Sequence, residues 1–204
     1  MIEWINFISL IINLFLFSYF YILSVQPAKR ETSKGNQAWR ECKQLRIIAS
    51  LFEIVLIVNM IVWIWFPIPL VNWKIHKNYI ISILLGVTIS VPFVFILLKA
   101  INDAGKETVQ PSKETQMYGG IYKYIRHPQS LGEFPLFITI AIMINSWFIL
   151  ALMLFYIILY VPIMIYYEEQ DLVRRFGEQY KQYQQRTGAL FPKIRKQNYS
   201  NKKT

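Results

Sequence analysis

The sequence predicts an all-α integral membrane protein, on the basis of three observations. Hydrophobic residues make up 54% of its 204 residues, and they occur in long blocks. A water-soluble domain would interrupt such blocks with charge, whereas a membrane span needs ~20 consecutive apolar residues. Lysine and arginine concentrate between the blocks, as in cytoplasmic loops that face anionic lipid. The net charge of +10 therefore indicates membrane lipids, and no nucleic acid, as the partner.

The first half of the chain contains three predicted spans. Residues 4–28 carry no charge and form the first span, although a few uncharged polar residues interrupt it. A basic loop separates it from the second span, between Arg46 and Lys74, where Glu53 is the only charge. Glu53 either pairs with a basic group in the bundle or has a function. The third predicted span covers residues 78–98.

The second half contains a run of 34 residues without charge, from Phe134 to Tyr167. As one helix the run would be about 50 Å long, against a hydrocarbon core of ~30 Å. A division at Asn145 and Ser146 gives two spans joined as a helical hairpin, with the first span counted from Pro128. Five spans are therefore expected in total.

A cytoplasmic amphipathic helix is predicted after the hairpin. Leu172, Phe176, Tyr180 and Tyr183 recur at helical spacing and would share one face. We also expect Asp171 to pair with the residue one turn later, Arg175.

The distribution of Lys and Arg predicts the orientation in the membrane. With the N-terminus outside, the inside segments hold 6, 5 and 9 such residues, which is 20 of the 22 in the chain. This asymmetry favours an outside N-terminus and a cytoplasmic C-terminus. No feature of the sequence specifies an oligomeric state.

Two polar clusters at the ends of the predicted hairpin are the candidates for chemistry. Pro128 suits the first position of a helix, so Arg126 and His127 would lie at a helix N-terminus, which favours an anionic ligand group. Glu168 and Glu169 follow the apolar run about forty residues later. Since one hairpin separates them, the clusters are predicted to meet at one membrane face.

These clusters belong to a longer pattern. The chain reads G-I-Y-x-x-x-R-H-P-x-x-x-G from Gly120, and E-E-x-x-L-x-x-x-F-G-x-x-Y-x-x-Y-x(8)-P from Glu168. Over residues 118–192 it resembles the isoprenylcysteine carboxyl methyltransferase and phospholipid methyltransferase superfamily. We interpret residues 1–192 as one membrane domain and residues 193–204 as a basic tail. The chain departs from the family pattern at Ser130, where the family has tyrosine. The space left there is expected to widen the pocket or to be filled by Tyr124 or Phe134.

The resemblance implies a membrane methyltransferase that uses S-adenosylmethionine. Arginine and a helix N-terminus suit the cofactor's carboxylate, glutamates suit its amine or ribose hydroxyls, and an aromatic face attracts its sulfonium. No metal is expected, because Cys42 is the only cysteine. The residues assigned to cofactor binding are Tyr122, Arg126, His127, Pro128, Gly132, Glu168 and Glu169.

The resemblance further implies a lipophilic acceptor that enters from the lipid: a prenylcysteine-like carboxylate, a lipid amine or another isoprenoid or lipid group. A carboxylate needs no base, whereas an amine or phenol does, and Glu133 is the candidate catalytic base. Two alternatives stay open at this point. One is a sterol-reductase-like membrane enzyme that uses a nicotinamide cofactor. The other is a non-catalytic membrane protein that keeps the fold, which Ser130 leaves possible.

Overall fold

The computed structural model describes residues 1–113 and 119–193, and helices dominate both ranges. Short 3-10 turns cover Pro69–Val71, Gly105–Thr108 and Gly120–Lys123. Tyr118, the first residue of the motif-bearing segment, and residues 194–204 of the predicted tail lie outside the described residues. The α-helices in these ranges are α1 (Ile2–Ser24), α2 (Pro27–Lys34), α3 (Gln37–Val62), α4 (Tyr79–Ala104), α5 (Pro128–Met143), α6 (Trp147–Phe176) and α7 (Glu178–Arg186).

Four helices in the described part of the chain are long and apolar enough to cross a membrane: α1, α3, α4 with its following turn, and α6. The sequence predicted five. The difference is α5, which has only 16 residues. At 1.5 Å per residue it is about 24 Å long, shorter than the ~30 Å hydrocarbon core.

The bundle is built from two close helix pairs, α1 with α3 and α4 with α5, and α6 packs against both α5 and α1. Amide side chains join the first pair inside the apolar region. Asn6 donates to the Asn59 carbonyl oxygen at 3.0 Å, and Asn59 donates to the Asn6 side-chain oxygen at 2.9 Å. Such interhelical hydrogen bonds satisfy polar groups that lipid cannot. They explain why the first span tolerates asparagine.

Glycine allows the second pair to approach closely. A Cβ built on Gly132 of α5 would lie 2.6 Å from the backbone nitrogen of Leu97 on α4. No side chain fits there, and small residues at such contacts let helix backbones meet. The structure gives Gly132 a helix-packing role, and its expected contact with a cofactor stays a prediction.

The predicted amphipathic helix is divided between two helices. α6 runs on through Phe176, and it ends where Gly177 adopts a φ of 56°. This left-handed conformation suits glycine, and α7 follows it in a new direction. Leu172 therefore belongs to α6, whereas Tyr180 belongs to α7 and is buried.

The predicted pair between Asp171 and Arg175 does not form. The Asp171 carboxylate instead accepts from the backbone N–H groups of Ala28 and Lys29 at 3.1 and 2.7 Å. A carboxylate is stabilised at this position because α2 begins there. Arg175 pairs with Glu107 at 2.8 Å.

The turn between α5 and α6 contains Asn145 and Ser146, the two residues at which the apolar run was divided. Asn145 has a φ of 63°, which asparagine tolerates better than most residues. Its side-chain oxygen accepts from the His76 N–H at 2.8 Å and from the Ser82 hydroxyl at 2.9 Å. Its amide donates to the His76 carbonyl oxygen at 2.9 Å. Neutral hydrogen bonds therefore hold this end of the hairpin.

Candidate active site

The two polar clusters meet at the N-terminus of α5, as the sequence predicts. Pro128 is the first residue of α5, which places Arg126 and His127 immediately before the helix. α6 brings Glu168 and Glu169 to the same place, because it continues as a helix through both residues. The Arg126 Nε lies 2.7 Å from a carboxylate oxygen of Glu169.

The ring of His127 lies between the two glutamates. Its Nδ1 is 3.0 Å from Glu168, and its Nε2 is 2.9 Å from Glu169. Both ring nitrogens donate to carboxylates only when the imidazole is protonated. Burial by itself would lower the pKa of His127, but the carboxylates of Glu168 and Glu169 outweigh it and raise the pKa to about 9. The site therefore holds a cationic histidine at neutral pH.

A returning segment after α7 fixes the backbone of the motif. The Arg126 N–H donates to the Gly188 carbonyl oxygen at 2.9 Å, and the His127 N–H donates to that of Ala189 at 3.0 Å. The Arg126 guanidinium also donates to the carbonyl oxygens of Gln184 and Thr187. This support was not predicted, because carbonyl contacts leave no pattern in side-chain types.

Arg126, His127 and Glu168 line a cleft at this end of the bundle, whereas Glu169 pairs with Arg126 and His127 without lining it. Tyr122, predicted for the cofactor, also lines it, and burial raises the pKa of its hydroxyl. The hydroxyl accepts a hydrogen bond from Gln129 at 3.1 Å. The lining combines three arginines and His127 with acidic and aromatic groups: Tyr21, Arg46, Glu107, Tyr122, Arg126, His127, Glu168, Asp171 and Arg175.

Two residues of the cleft come from the first half of the chain and were missed. Tyr21 lies on α1 and Arg46 on α3. Arg46 donates to the carbonyl oxygens of Glu107 and Thr108 at 3.0 and 2.8 Å. Its Nε is buried and has no partner within residues 1–113 and 119–193. Arg46 ends the basic loop, so in the sequence it reads as one more charge on the cytoplasmic side.

A second ion pair, Arg175 with Glu107, lines the cleft next to Arg46. The side chains of Arg175 and Glu107, 6% and 4% exposed, are 2.8 Å apart. The Arg175 guanidinium also lies 5.0 Å from the ring centre of Trp39 and 4.8 Å from that of Phe176. Ring and carboxylate together hold this cation in place.

The structure separates Glu133 from the other predicted site residues. Glu133 does not line the cleft; its side chain hydrogen-bonds to Glu53 of α3. Ser130 does line the cleft and is buried. Neither neighbour expected to replace the family tyrosine does so, since Tyr124 is 65% exposed and Phe134 packs in the core. The tyrosines that share the cleft with Ser130 are Tyr21, from α1, and Tyr122.

Membrane-spanning helices that hold a charged cleft at one end are the arrangement expected of a membrane-embedded enzyme. The sequence model of the phospholipid methyltransferase family matches residues 78–179, half of the chain. The chain belongs to this family, and it is an integral membrane methyltransferase. Neither a nicotinamide-dependent reductase nor a non-catalytic protein is supported. Membership of a methyltransferase family points in general to the use of S-adenosylmethionine.

Curated relatives match beyond the family segment. Methanethiol S-methyltransferase 1 of Bradyrhizobium diazoefficiens is 26% identical over 200 residues, covering 90% of this chain and 67% of the relative. Methanethiol S-methyltransferase of Pseudomonas deceptionensis is 25% identical over 202 residues, covering 93% and 75%. No solved structure matches significantly. The similarity thus extends to α1 and α3, which contribute Tyr21 and Arg46 to the cleft.

Proposed function

We propose that this protein binds S-adenosylmethionine in the cleft and transfers its methyl group to a small lipophilic acceptor, for which a thiol is our choice. One observation carries the proposal. His127 is held as a cation between Glu168 and Glu169, beside Arg126, at the N-terminus of α5. Buried charges of both signs are expensive unless they are paired. A zwitterionic ligand bound at the same place would pair with charges of both signs, which explains why the site contains them.

The residues of the cleft fit the chemical groups of this cofactor. Arg46 has a buried Nε–H without a partner in the described ranges, which suits a carboxylate. Glu168 can accept from an ammonium group, since its own fixed partner is His127. The rings of Tyr21 and Tyr122 line the same cleft and can face a sulfonium cation.

Methyl transfer is an in-line displacement, and the cofactor supplies a methyl group on positively charged sulfur. The protein contributes alignment and exclusion of water, which together account for a large part of such a barrier. Arg126 and His127 fix the two glutamates before a ligand arrives. Arg175 and Glu107 fix a further part of the cleft lining. The site is therefore ordered by its own ion pairs.

The segments of the chain that the family and the relatives match differ, and this difference favours one acceptor. The family description names phospholipids and covers only residues 78–179. The relatives named for methanethiol cover 90% and 93% of the chain, including both helices that add Tyr21 and Arg46 to the cleft. We therefore favour a small thiol over a lipid amine or a prenylcysteine-like carboxylate.

Calorimetry on the purified protein tests the cofactor. Glu168→Gln removes a charge that a cofactor ammonium group needs, and we expect a loss of about 1.5–3 kcal/mol in binding, roughly 10–100-fold in affinity. His127→Ala is expected to weaken binding similarly. Glu178→Gln, an exposed glutamate at the start of α7, is the matched control. Absence of binding to the unaltered protein contradicts the proposal.

A labelled-methyl assay tests the acceptor. The protein in vesicles is supplied with the labelled cofactor and, in separate reactions, with methanethiol, with an amine-headgroup phospholipid and with a prenylcysteine carboxylate. We expect label in the volatile thioether only. Label in the phospholipid or in a methyl ester would keep the methyltransferase and refute the thiol.

A further inference from the structure

A second polar pair, which is half-buried, lies on α3 and α5 outside the cleft lining. Glu53 on α3 and Glu133 on α5 hydrogen-bond to each other through their side chains. A hydrogen bond between two carboxyl groups requires a proton on one of them, since ionised carboxylates only accept. The pair therefore holds at least one proton, and with only one proton it also carries one negative charge. Ionisable groups in membrane-embedded helices are expensive and usually functional.

Tyr160 on α6 is an independent sign of a ligand in this region. Its side chain is only 5% exposed, and its hydroxyl has no hydrogen-bond partner in the part of the chain that the structure describes. A buried hydroxyl without a partner costs about 1–3 kcal/mol, so a partner is to be expected. Phe17 and Phe134 hold the ring, with centroids 5.8 and 5.6 Å from that of Tyr160.

Tyr21 connects this region to the cleft. It lines the cleft, and its ring packs 5.5 Å from that of Phe17. Phe17 packs against both tyrosines, since its ring centroid also lies 5.8 Å from that of Tyr160. A continuous row of aromatic rings therefore leads from the cofactor cleft to Tyr160.

We infer that this region is the acceptor site, where Glu133, positioned by Glu53, takes the proton of a small apolar thiol bound by the hydroxyls of Tyr21 and Tyr160. The inference rests on the proposed function and deepens it. Aromatic walls suit the apolar body of such a thiol, and sulfur makes favourable contacts with aromatic rings. Hydroxyl donors stabilise the thiolate that forms.

The step balances with these groups alone. The thiol S–H bond breaks, and its proton goes to the ionised carboxyl of the pair, which becomes neutral with two protons. The thiolate forms a bond to the methyl carbon of the cofactor. The bond from that carbon to the sulfonium breaks, and its electron pair stays on the cofactor sulfur as a neutral thioether. The extra proton then leaves the pair, which restores the starting state.

The pair is suited to act as a base because the carboxyl group of Glu53 lies beside that of Glu133 and opposes its permanent ionisation. Like charges so close cannot both ionise at neutral pH. Glu133 is the catalytic residue, and Glu53 is a positioning residue that acts through it. The titratable and charged groups that interact with Glu133 are Glu53 and Arg46 of α3, Tyr21 of α1, and Tyr156 and Tyr160 of α6.

Two measurements on the full chain test the inference. Infrared spectroscopy should show the C=O band of a protonated carboxyl group in the unaltered protein, lost in Glu53→Gln and in Glu133→Gln. The second is the pH profile of methyl transfer to methanethiol. Glu133→Gln should lower the rate about 100-fold and leave cofactor affinity within twofold. Glu53→Gln should move the acid limb of the profile to lower pH, because one repelling carboxyl is gone.

Glu41→Gln is the matched control, since Glu41 lies on the same helix in a surface pair with Arg30 and Lys34. It should keep both the infrared band and the pH profile. The acceptor-site inference is overturned if Glu53→Gln and Glu133→Gln both keep the infrared C=O band, or if Glu133→Gln methylates methanethiol at the normal rate. The proposed function stands in either case. Failure of the unaltered protein to bind S-adenosylmethionine overturns both.

Discussion

The two ends of the α5–α6 hairpin are held together in opposite ways. At one end, Arg126 and His127 join α5 to the glutamates of α6 through charged groups. At the other, Asn145 joins the turn to His76 and Ser82 through neutral hydrogen bonds. Both ends satisfy buried polar groups, yet only one accepts the desolvation cost of ions.

This difference indicates what each end is for. Neutral hydrogen bonds secure a turn at little cost, whereas buried ion pairs often add no more stability than apolar packing would. A charged arrangement is therefore weak evidence for a stabilising role and better evidence for binding. The comparison predicts that perturbing the charged end changes ligand binding as well as stability, whereas perturbing the neutral end changes stability alone.

The largest predicted difference between the ends is in their response to pH. The pKa of His127 is about 9 in the folded protein against 6.5 for the free side chain. Its contribution to the free energy of unfolding is fully present below pH 6.5 and is lost as pH rises through 9. From 1.36 kcal/mol per pKa unit, we expect this loss to be about 3 kcal/mol.

Thermal unfolding in detergent between pH 6 and 10 measures this effect. His127→Gln should flatten the decline that the unaltered protein shows, because glutamine does not titrate. A variant that keeps the full decline would show that His127 is not the titrating group.

The next largest effect is expected at the neutral end. Asn145→Ala removes three hydrogen bonds and leaves alanine at a φ of 63°. We expect a loss of about 2 kcal/mol in stability, since a left-handed alanine costs roughly 1–2 kcal/mol and unpaired buried groups add to it. Glycine adopts this φ without strain, so Asn145→Gly measures the stability lost with the hydrogen bonds alone. Thermal unfolding should show a lower stability for both Asn145 variants, and their cofactor affinity should be unchanged. A loss of affinity would contradict the prediction that the neutral end serves stability alone.

The last prediction concerns the membrane face at which each end of the hairpin lies. Its variants should change stability least. Cys42 is fully buried and unsuitable for labelling, so a Cys42→Ser background is needed. Ser33→Cys and Asn72→Cys replace exposed residues near the two opposite ends, and each should change stability by less than about 0.5 kcal/mol. A membrane-impermeant maleimide should label Asn72→Cys in sealed cells and Ser33→Cys only after permeabilisation. The reverse pattern would invert the predicted orientation.

Local patterns predicted the centre of the site well. Pro128 fixes the start of a helix through its own ring, so Arg126 and His127 could be placed before the structure was known. Glu168 and Glu169 could be placed at the same membrane face because one helical hairpin separates them from Arg126 and His127. The number of spans was harder, because a 34-residue run fixes total length and not the lengths of its parts. α5 is the shorter part and ends at Met143.

The rest of the site depends on contacts between distant parts of the chain. Tyr21 in the sequence is one aromatic residue among several in an apolar block, and Arg46 is one basic residue among six in its loop. Only the packing of α1 and α3 against the hairpin distinguishes them. Gly132 shows the converse, since a residue inside a site motif serves helix contact.

The hydrogen bonds from Arg126 and His127 to Gly188 and Ala189 also set an order of events during synthesis. These partners are made some 60 residues after the residues that they hold. At about 5–20 residues per second, the motif waits roughly 3–13 s for them, with its helices already available to enter the membrane. A nascent chain stalled before residue 188 would therefore expose an arginine and a histidine without their backbone acceptors.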